Sequence, residues 1–78
     1  MDEPQGLDKL KVGETGTVNS FAAENPDSLR LMEMGVLPQT RIKLIRKAPL
    51  GDPLEIEIRG YKLSLRKSEA KQIFVNCG

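Results

Sequence analysis

The stretch LEIEIRGYKLSL, residues 54–65, constrains this chain more than any other. Apolar residues alternate with polar ones on either side of Arg59-Gly60, the pattern of strands with one buried face. Gly60 at the first central position of a two-residue loop suits a type II′ turn. That turn predicts Ile58 opposite Leu63 and Ile56 opposite Leu65 on the inner face. On the outer face it sets Glu57 opposite Ser64 and Glu55 opposite Arg66, an opposite-charge cross-strand pair. A one-residue slip would turn all these side chains to the wrong face, so turn chemistry and apolar pattern must agree.

The flanking segments supply further short elements. TRIKLIRKA, residues 40–48, reads as a strand with Ile42 and Leu44 to one side and Arg41, Lys43, Ile45 and Lys47 to the other. Ile45 is out of place among charges and is expected to be either exposed or, as the favoured reading, covered by Leu7 or Leu10. A first strand is expected over Thr15–Ala22. In ENPDSLRLMEMG, Asn25 can cap a helix, Pro26 fits its first position, Asp27 favours the positive end of the dipole and Gly35 suits a left-handed terminus. Leu29, Met32 and Val36 fall on one helical face and Leu31 and Met34 on another, so one stripe is a candidate for a partner. Pro38 occupies a turn, RKSEAKQ is a short helical turn with Ser68 as a possible cap, and IFVN is a closing strand. Residues 1–6 read as a flexible N-terminal tail and residues 7–76 as a single domain.

The order is strand, helix, three strands, a helical turn and a last strand. It predicts a mainly β fold, a small five-stranded SH3-like barrel with one short helix between the first two strands. A four-stranded sheet with one packed helix is the alternative. At 78 residues such a domain buries about 60% of its unfolded surface and leaves no room for a core plus a deep substrate cleft. No apolar run approaches the roughly 20 residues a bilayer requires, and one cysteine, Cys77, permits no internal disulfide, which suits a cytoplasmic location.

Catalytic chemistry is poorly supplied. The chain has no histidine, the commonest general base and transition-metal ligand. GETGTV lacks the Lys-Ser/Thr of a phosphate loop. Glu55 and Glu57 could in principle work as an acid–base pair, but the expected Arg66 opposite Glu55 makes them a balanced outer face. Among the aromatics only Tyr61, at a hairpin tip, could stack on a base. No enzyme and no cofactor are expected. Charge is uneven: residues 1–39 carry three Lys/Arg against seven Asp/Glu, residues 40–78 nine against four, or −4 and +5.

The segment APLGDP, residues 48–53, joins the second and third strands with two prolines that cannot donate to a ladder. It either closes the barrel or forms a rigid edge for a partner. As a docking edge, Pro49, Leu50, Gly51, Asp52 and Pro53 form one wall, and whichever of Leu31 and Met34 is exposed forms another.

RLMEMGVLP, from Arg30, and RKAPLGDPLEIEIRGYKLSLRKSEAKQIFV, from Arg46, closely resemble the FeoA family (ferrous iron transport protein A). The family pattern has an Arg-Leu-x-Glu-Met/Leu-Gly-Leu/Phe-x-Pro-Gly-Thr segment, an Ala-Pro-Leu-Gly-Asp-Pro loop and a Gly-Tyr-x-Leu-Ser-Leu-Arg hairpin. The resemblance covers about residues 7–75. It departs at Gln39, where glycine is usual and would suit the positive φ of a type II turn. The resemblance implies a non-catalytic cytoplasmic SH3-like protein that assists the membrane permease FeoB, docking on its GTPase domain or membrane mouth, with no nucleic acid and no membrane insertion. The alternative is a regulatory or nucleic-acid-binding domain like the C-terminal domain of iron-dependent repressors. A third reading is delivery of ferrous iron, or another divalent metal, by hard oxygen ligands.

Overall fold

In a computed structural model the described residues are 3–77. Strands β1 (Gln5–Gly6), β2 (Thr15–Phe21), β3 (Arg41–Lys47), β4 (Leu54–Ile58), β5 (Tyr61–Leu65) and β6 (Ile73–Cys77) form one antiparallel sheet in the order β1-β6-β2-β3-β4-β5. Helix α1 (Pro26–Glu33) joins β2 to β3 and the single turn α2 (Lys67–Ala70) joins β5 to β6. The mainly β fold is therefore as expected, with a sixth strand added. Gln5 and Gly6, assigned to the tail from the sequence, pair with Val75 and Phe74; two residues are too few to leave a period. Met1 and Asp2 of that expected tail lie outside the described residues.

Local chemistry explains the helix ends. Asn25 is extended (φ −155°), its side chain accepts from the Ser28 N–H at 2.9 Å, and the Ser28 hydroxyl accepts from the Asn25 N–H at 2.9 Å. This reciprocal box satisfies two donors that a helix start otherwise orphans. At the other end Gly35 turns left-handed (φ 103°), sending its N–H to Met32 and the Val36 N–H to Leu31. The two bonds make a Schellman motif, and Val36 and Leu31 are both fully buried, the apolar contact that accompanies it.

The α1 N-terminus is tied to the start of β6 by Asn25 Nδ2 donating to Gln72 Oε1 at 2.7 Å. At the C-terminus, the Tyr61 hydroxyl at the start of β5 lies against Gly35, where an added Cβ would sit 2.9 Å from it. α1 thus reaches from the start of β6 to the start of β5, the outer strand.

Fifteen apolar side chains form one buried cluster, from Leu7 and Leu10 to Val75. Ile56, Ile58, Leu63 and Leu65 are all in it, as the hairpin pattern predicts. The pairing differs, however. Ile58 faces Tyr61, Ile56 faces Leu63, Glu55 faces Ser64 and Glu57 faces Lys62. The loop is Arg59-Gly60, with φ of 51° and 84°, so both central residues are left-handed and Gly60 takes the second position. Two positive φ values define a type I′ turn, whose twist suits the strands as well as II′ does. A two-residue shift keeps every side chain on its face while changing each partner, and the expected Glu55–Arg66 pair does not form.

Ile45 also departs from expectation. Leu44 pairs with Ile56 and Arg46 with Glu55, so Ile45 is the extra residue of a β-bulge. It is half-buried there, while Leu7 and Leu10, expected as its cover, are completely buried in the core. A second bulge sets Asn19 between Val18 and Ser20 opposite β6. Gln39 does adopt the left-handed conformation (φ 71°) of the turn closed by the Thr40 N–H on the Leu37 carbonyl. The type II turn is retained without its usual glycine, at a strain of about 1 kcal/mol.

Candidate functional site

The β3–β4 connection is held at three points. The Gly51 N–H donates to the Ala48 carbonyl at 2.7 Å, and the Ala48 N–H donates to the Pro53 carbonyl at 3.0 Å. Gly51 is left-handed (φ 82°). Outside the loop, the Asp52 carboxylate accepts from the backbone N–H of Lys67, the first residue of α2, at 3.0 Å. Asp52 therefore braces the loop against α2 as well as satisfying an orphan helix donor. On this frame Leu50 is 91% exposed. It packs no part of the barrel, which removes the purely structural reading of that side chain.

Two clefts meet beside the loop. The larger, about 380 Å³, is lined by Asp27 and Arg30 of α1, Pro53, Ser64, Leu65, Arg66 and Glu69. The smaller, about 180 Å³, is lined by Arg46, Ala48, Pro53, Leu54, Glu55 and Ser64. Pro53 and Ser64 form the wall common to both.

The larger cleft has a built-in charge pair. Glu69 is buried, ion-pairs with Arg30 and accepts from the Arg66 N–H at 2.9 Å. Burial pushes its carboxyl pKa up, but the Arg66 N–H, the Arg30 hydrogen bond and the charges of Arg30 and Arg66 outweigh this and hold it below the usual carboxylate value. The carboxylate thus links α1 to α2 across one wall of the cleft. Ser68, the cap expected from sequence, does not fill that role; Arg66 is the N-cap residue and Glu69 bonds its N–H.

The expected second wall changes. Leu31 is 1% exposed and belongs to the core, so it cannot face a partner. Met34 is half-buried against that core, and its sulfur accepts from Arg30 Nη1 at 3.5 Å. The outward apolar residue of α1 is Leu29, 52% exposed. The helical stripe misled because Val36 lies beyond the helix end and does not extend the Leu29 face. Ser28 was the usable signal: a polar residue can sit on the buried side when capping satisfies its hydroxyl. Arg30, Arg66 and Glu69 were not anticipated at the site, since no local pattern connects positions 30 and 69.

Among the described residues no group of three or more His, Cys, Asp or Glu is placed to hold a metal ion. Cys77 is half-buried in β6 and its sulfur accepts from Gln5 Nε2 at 2.8 Å. No helix of the described residues is long and apolar enough to cross a membrane.

A six-stranded antiparallel sheet with one short helix and an exposed apolar loop tip defines a small SH3-like domain. The family model for the FeoA domain matches residues 6–77, and the chain belongs to that family. An FeoA-like protein from Clostridium acetobutylicum, solved by NMR, has 39% identity, a TM-score of 0.90, and the match covers 99% of this chain and 90% of that one. The Stenotrophomonas maltophilia FeoA, crystallised with zinc and described as a prokaryotic SH3 domain protein, has 28% identity and a TM-score of 0.82 over 92% of this chain and 89% of that one. A curated relative from Porphyromonas gingivalis, an Fe(2+) transport protein A/FeoB fusion, is 30% identical over 69 residues, covering 88% of this chain and 8% of the relative. A manganese-dependent transcriptional repressor shares the fold at 20% identity and a TM-score of 0.86, over 100% of this chain and 44% of the repressor.

Proposed function

We propose that this chain is a non-catalytic cytoplasmic accessory protein of ferrous iron uptake that docks on the FeoB permease through the Ala48–Pro53 loop. The observation that carries this reading is Leu50, 91% exposed on a loop braced by Asp52. A rigid apolar tip loses little entropy on binding and is suited to enter a pocket on a partner. Clefts on both sides of Pro53 leave space for the partner's own side chains. Fusion of the two activities in the Porphyromonas gingivalis relative supports association with FeoB. The docking residues are Pro49, Leu50, Gly51 and Pro53, with Asp52 as their brace and Leu29 and Met34 as candidate contacts from α1.

The test pairs two measurements on Leu50→Gln. The melting curve is expected to match the unmodified protein, because the side chain has no neighbours to lose. Affinity for the permease's cytoplasmic GTPase domain is expected to fall about tenfold, a loss of 1–2 kcal/mol. A large drop in melting temperature would return Leu50 to a structural role. Unchanged binding with a normal melt would remove the loop from the interface.

A further inference from the structure

The outer face of the sheet gathers positive charge at the end of the molecule far from Leu50. β3 and β4 are joined at one end by the Ala48–Pro53 loop and β4 and β5 at the other by Arg59-Gly60. Arg41 and Lys43 alternate with buried Ile42 and Leu44, so both face outward. Register sets Lys43 beside Glu57 and Glu57 beside Lys62. Arg59 stands at the tip. All four cations are exposed, and among the described residues the Glu57 carboxylate stands between Lys43 and Lys62. A shallow depression of about 350 Å³ lies beside three of them, lined by Thr15, Arg41, Ile42, Lys43, Glu57, Arg59 and Gly60, with Lys62 next to Glu57 outside its lining. Arg41 Nη2 donates to Thr15 Oγ1 at 3.3 Å, which holds its guanidinium over the strands.

We propose that this face receives an extended acidic segment of the same partner protein, one with carboxylates on alternate residues. The spacing supports it: residues i and i+2 of a strand lie about 7 Å apart, and neighbouring strands about 4.8 Å apart. Arg41 and Lys43 thus match two carboxylates on one extended chain, while Lys62 and Arg59 meet a third. A nucleic acid fits less well. No aromatic lines the depression to stack a base. The contribution here is to the rate and register of encounter, while the apolar loop anchors the complex.

This proposal rests on the docking reading above, and the experiment separates the two. Binding of the full chain to the permease's cytoplasmic domain is titrated at 50 and 500 mM NaCl, with Lys43→Glu/Lys62→Glu beside Leu50→Gln. Both lysines are exposed, and matching melting curves check that the double variant folds. The charge reversal is expected to weaken binding about tenfold at 50 mM and less than about twofold at 500 mM, where the Debye length falls below about 5 Å. Leu50→Gln is expected to weaken binding at both. A charge reversal that binds like the unmodified chain while Leu50→Gln does not would overturn the acidic-segment proposal alone. No binding by the unmodified chain would remove both. A parallel titration with duplex DNA and with vesicles containing phosphatidylglycerol is expected to give weaker binding than the permease domain; tighter binding to either would also overturn it.

Discussion

The two connections flanking β4 solve the same problem in opposite ways. Arg59-Gly60 turns the chain in two residues and is fixed by its own backbone, both residues holding positive φ. The Ala48–Pro53 loop takes six residues and is fixed partly from outside, by the bond from Lys67 N–H to Asp52. A turn that closes locally exposes its tip without needing support from the rest of the fold. A longer loop that must hold an apolar tip in one place requires an anchor elsewhere. The sequence narrows the first kind to two turn types, and shows the second hardly at all.

Ile56→Ala tests the local side of this contrast and has the largest expected effect. Ile56 is completely buried beside Leu44 and Leu63. Its truncation is expected to cost about 2–5 kcal/mol, close to the whole stability of a domain this small. Denaturant unfolding measures it, and a little-changed midpoint would contradict the placement of the hairpin core.

The next effect concerns the long-range contact that closes the larger cleft. Glu69→Gln loses the ion pair with Arg30 and weakens the bond from the Arg66 N–H, at a cost of about 1–3 kcal/mol at neutral pH. The folded carboxyl has a pKa below its ordinary 4.5. Its stabilising contribution is therefore complete above about pH 5 and is lost as pH falls through the folded pKa. Melts of both proteins between pH 7 and pH 3 should show a gap that narrows on the acid side; a constant gap would mean the carboxylate charge contributes nothing. Asp52→Ala follows, at about 1 kcal/mol for the lost bond to the first N–H of α2. It should also weaken partner binding, though Asp52 need touch no partner, because the loop loses its brace. Unchanged binding would mean the two prolines alone hold the tip.

How much of this was readable follows the same division. Strand parity was legible because period two and a buried face leave little choice, and all four hairpin core residues were identified. Register was not, because a shift of two preserves parity and Gly60 fits either central position. The helix caps were legible from Asn25, Pro26 and Gly35, yet the buried side of α1 was misjudged by extending its stripe past Glu33 to Val36. For Leu50 the sequence left barrel closure and an exposed edge both open, and its 91% exposure decides for the second. The cleft beside it was not legible, since Arg30, Pro53 and Glu69 meet only in three dimensions. The bulge at Ile45 left a trace, an apolar residue among charges, whose cause a strict alternation could not express.

The smallest effect has the sharpest bearing on the hairpin. In the observed type I′ turn Arg59 is left-handed at φ 51°, a conformation that costs a non-glycine residue about 1–2 kcal/mol relative to right-handed alternatives. Asparagine tolerates that region better, and Asn-Gly is the preferred pair for this turn. Arg59→Asn is therefore expected to stabilise the domain, by about 0.5 kcal/mol. In the type II′ arrangement with Gly60-Tyr61 at the centre, residue 59 would be an ordinary strand residue, and asparagine, a poor strand former, would lower stability instead. The sign of a small shift in denaturation midpoint thus decides between two registers that bury the same four side chains. The same variant removes one cation from the basic face, so its melting and its salt-dependent binding should move in opposite directions: the fold stabilised, and low-salt affinity reduced.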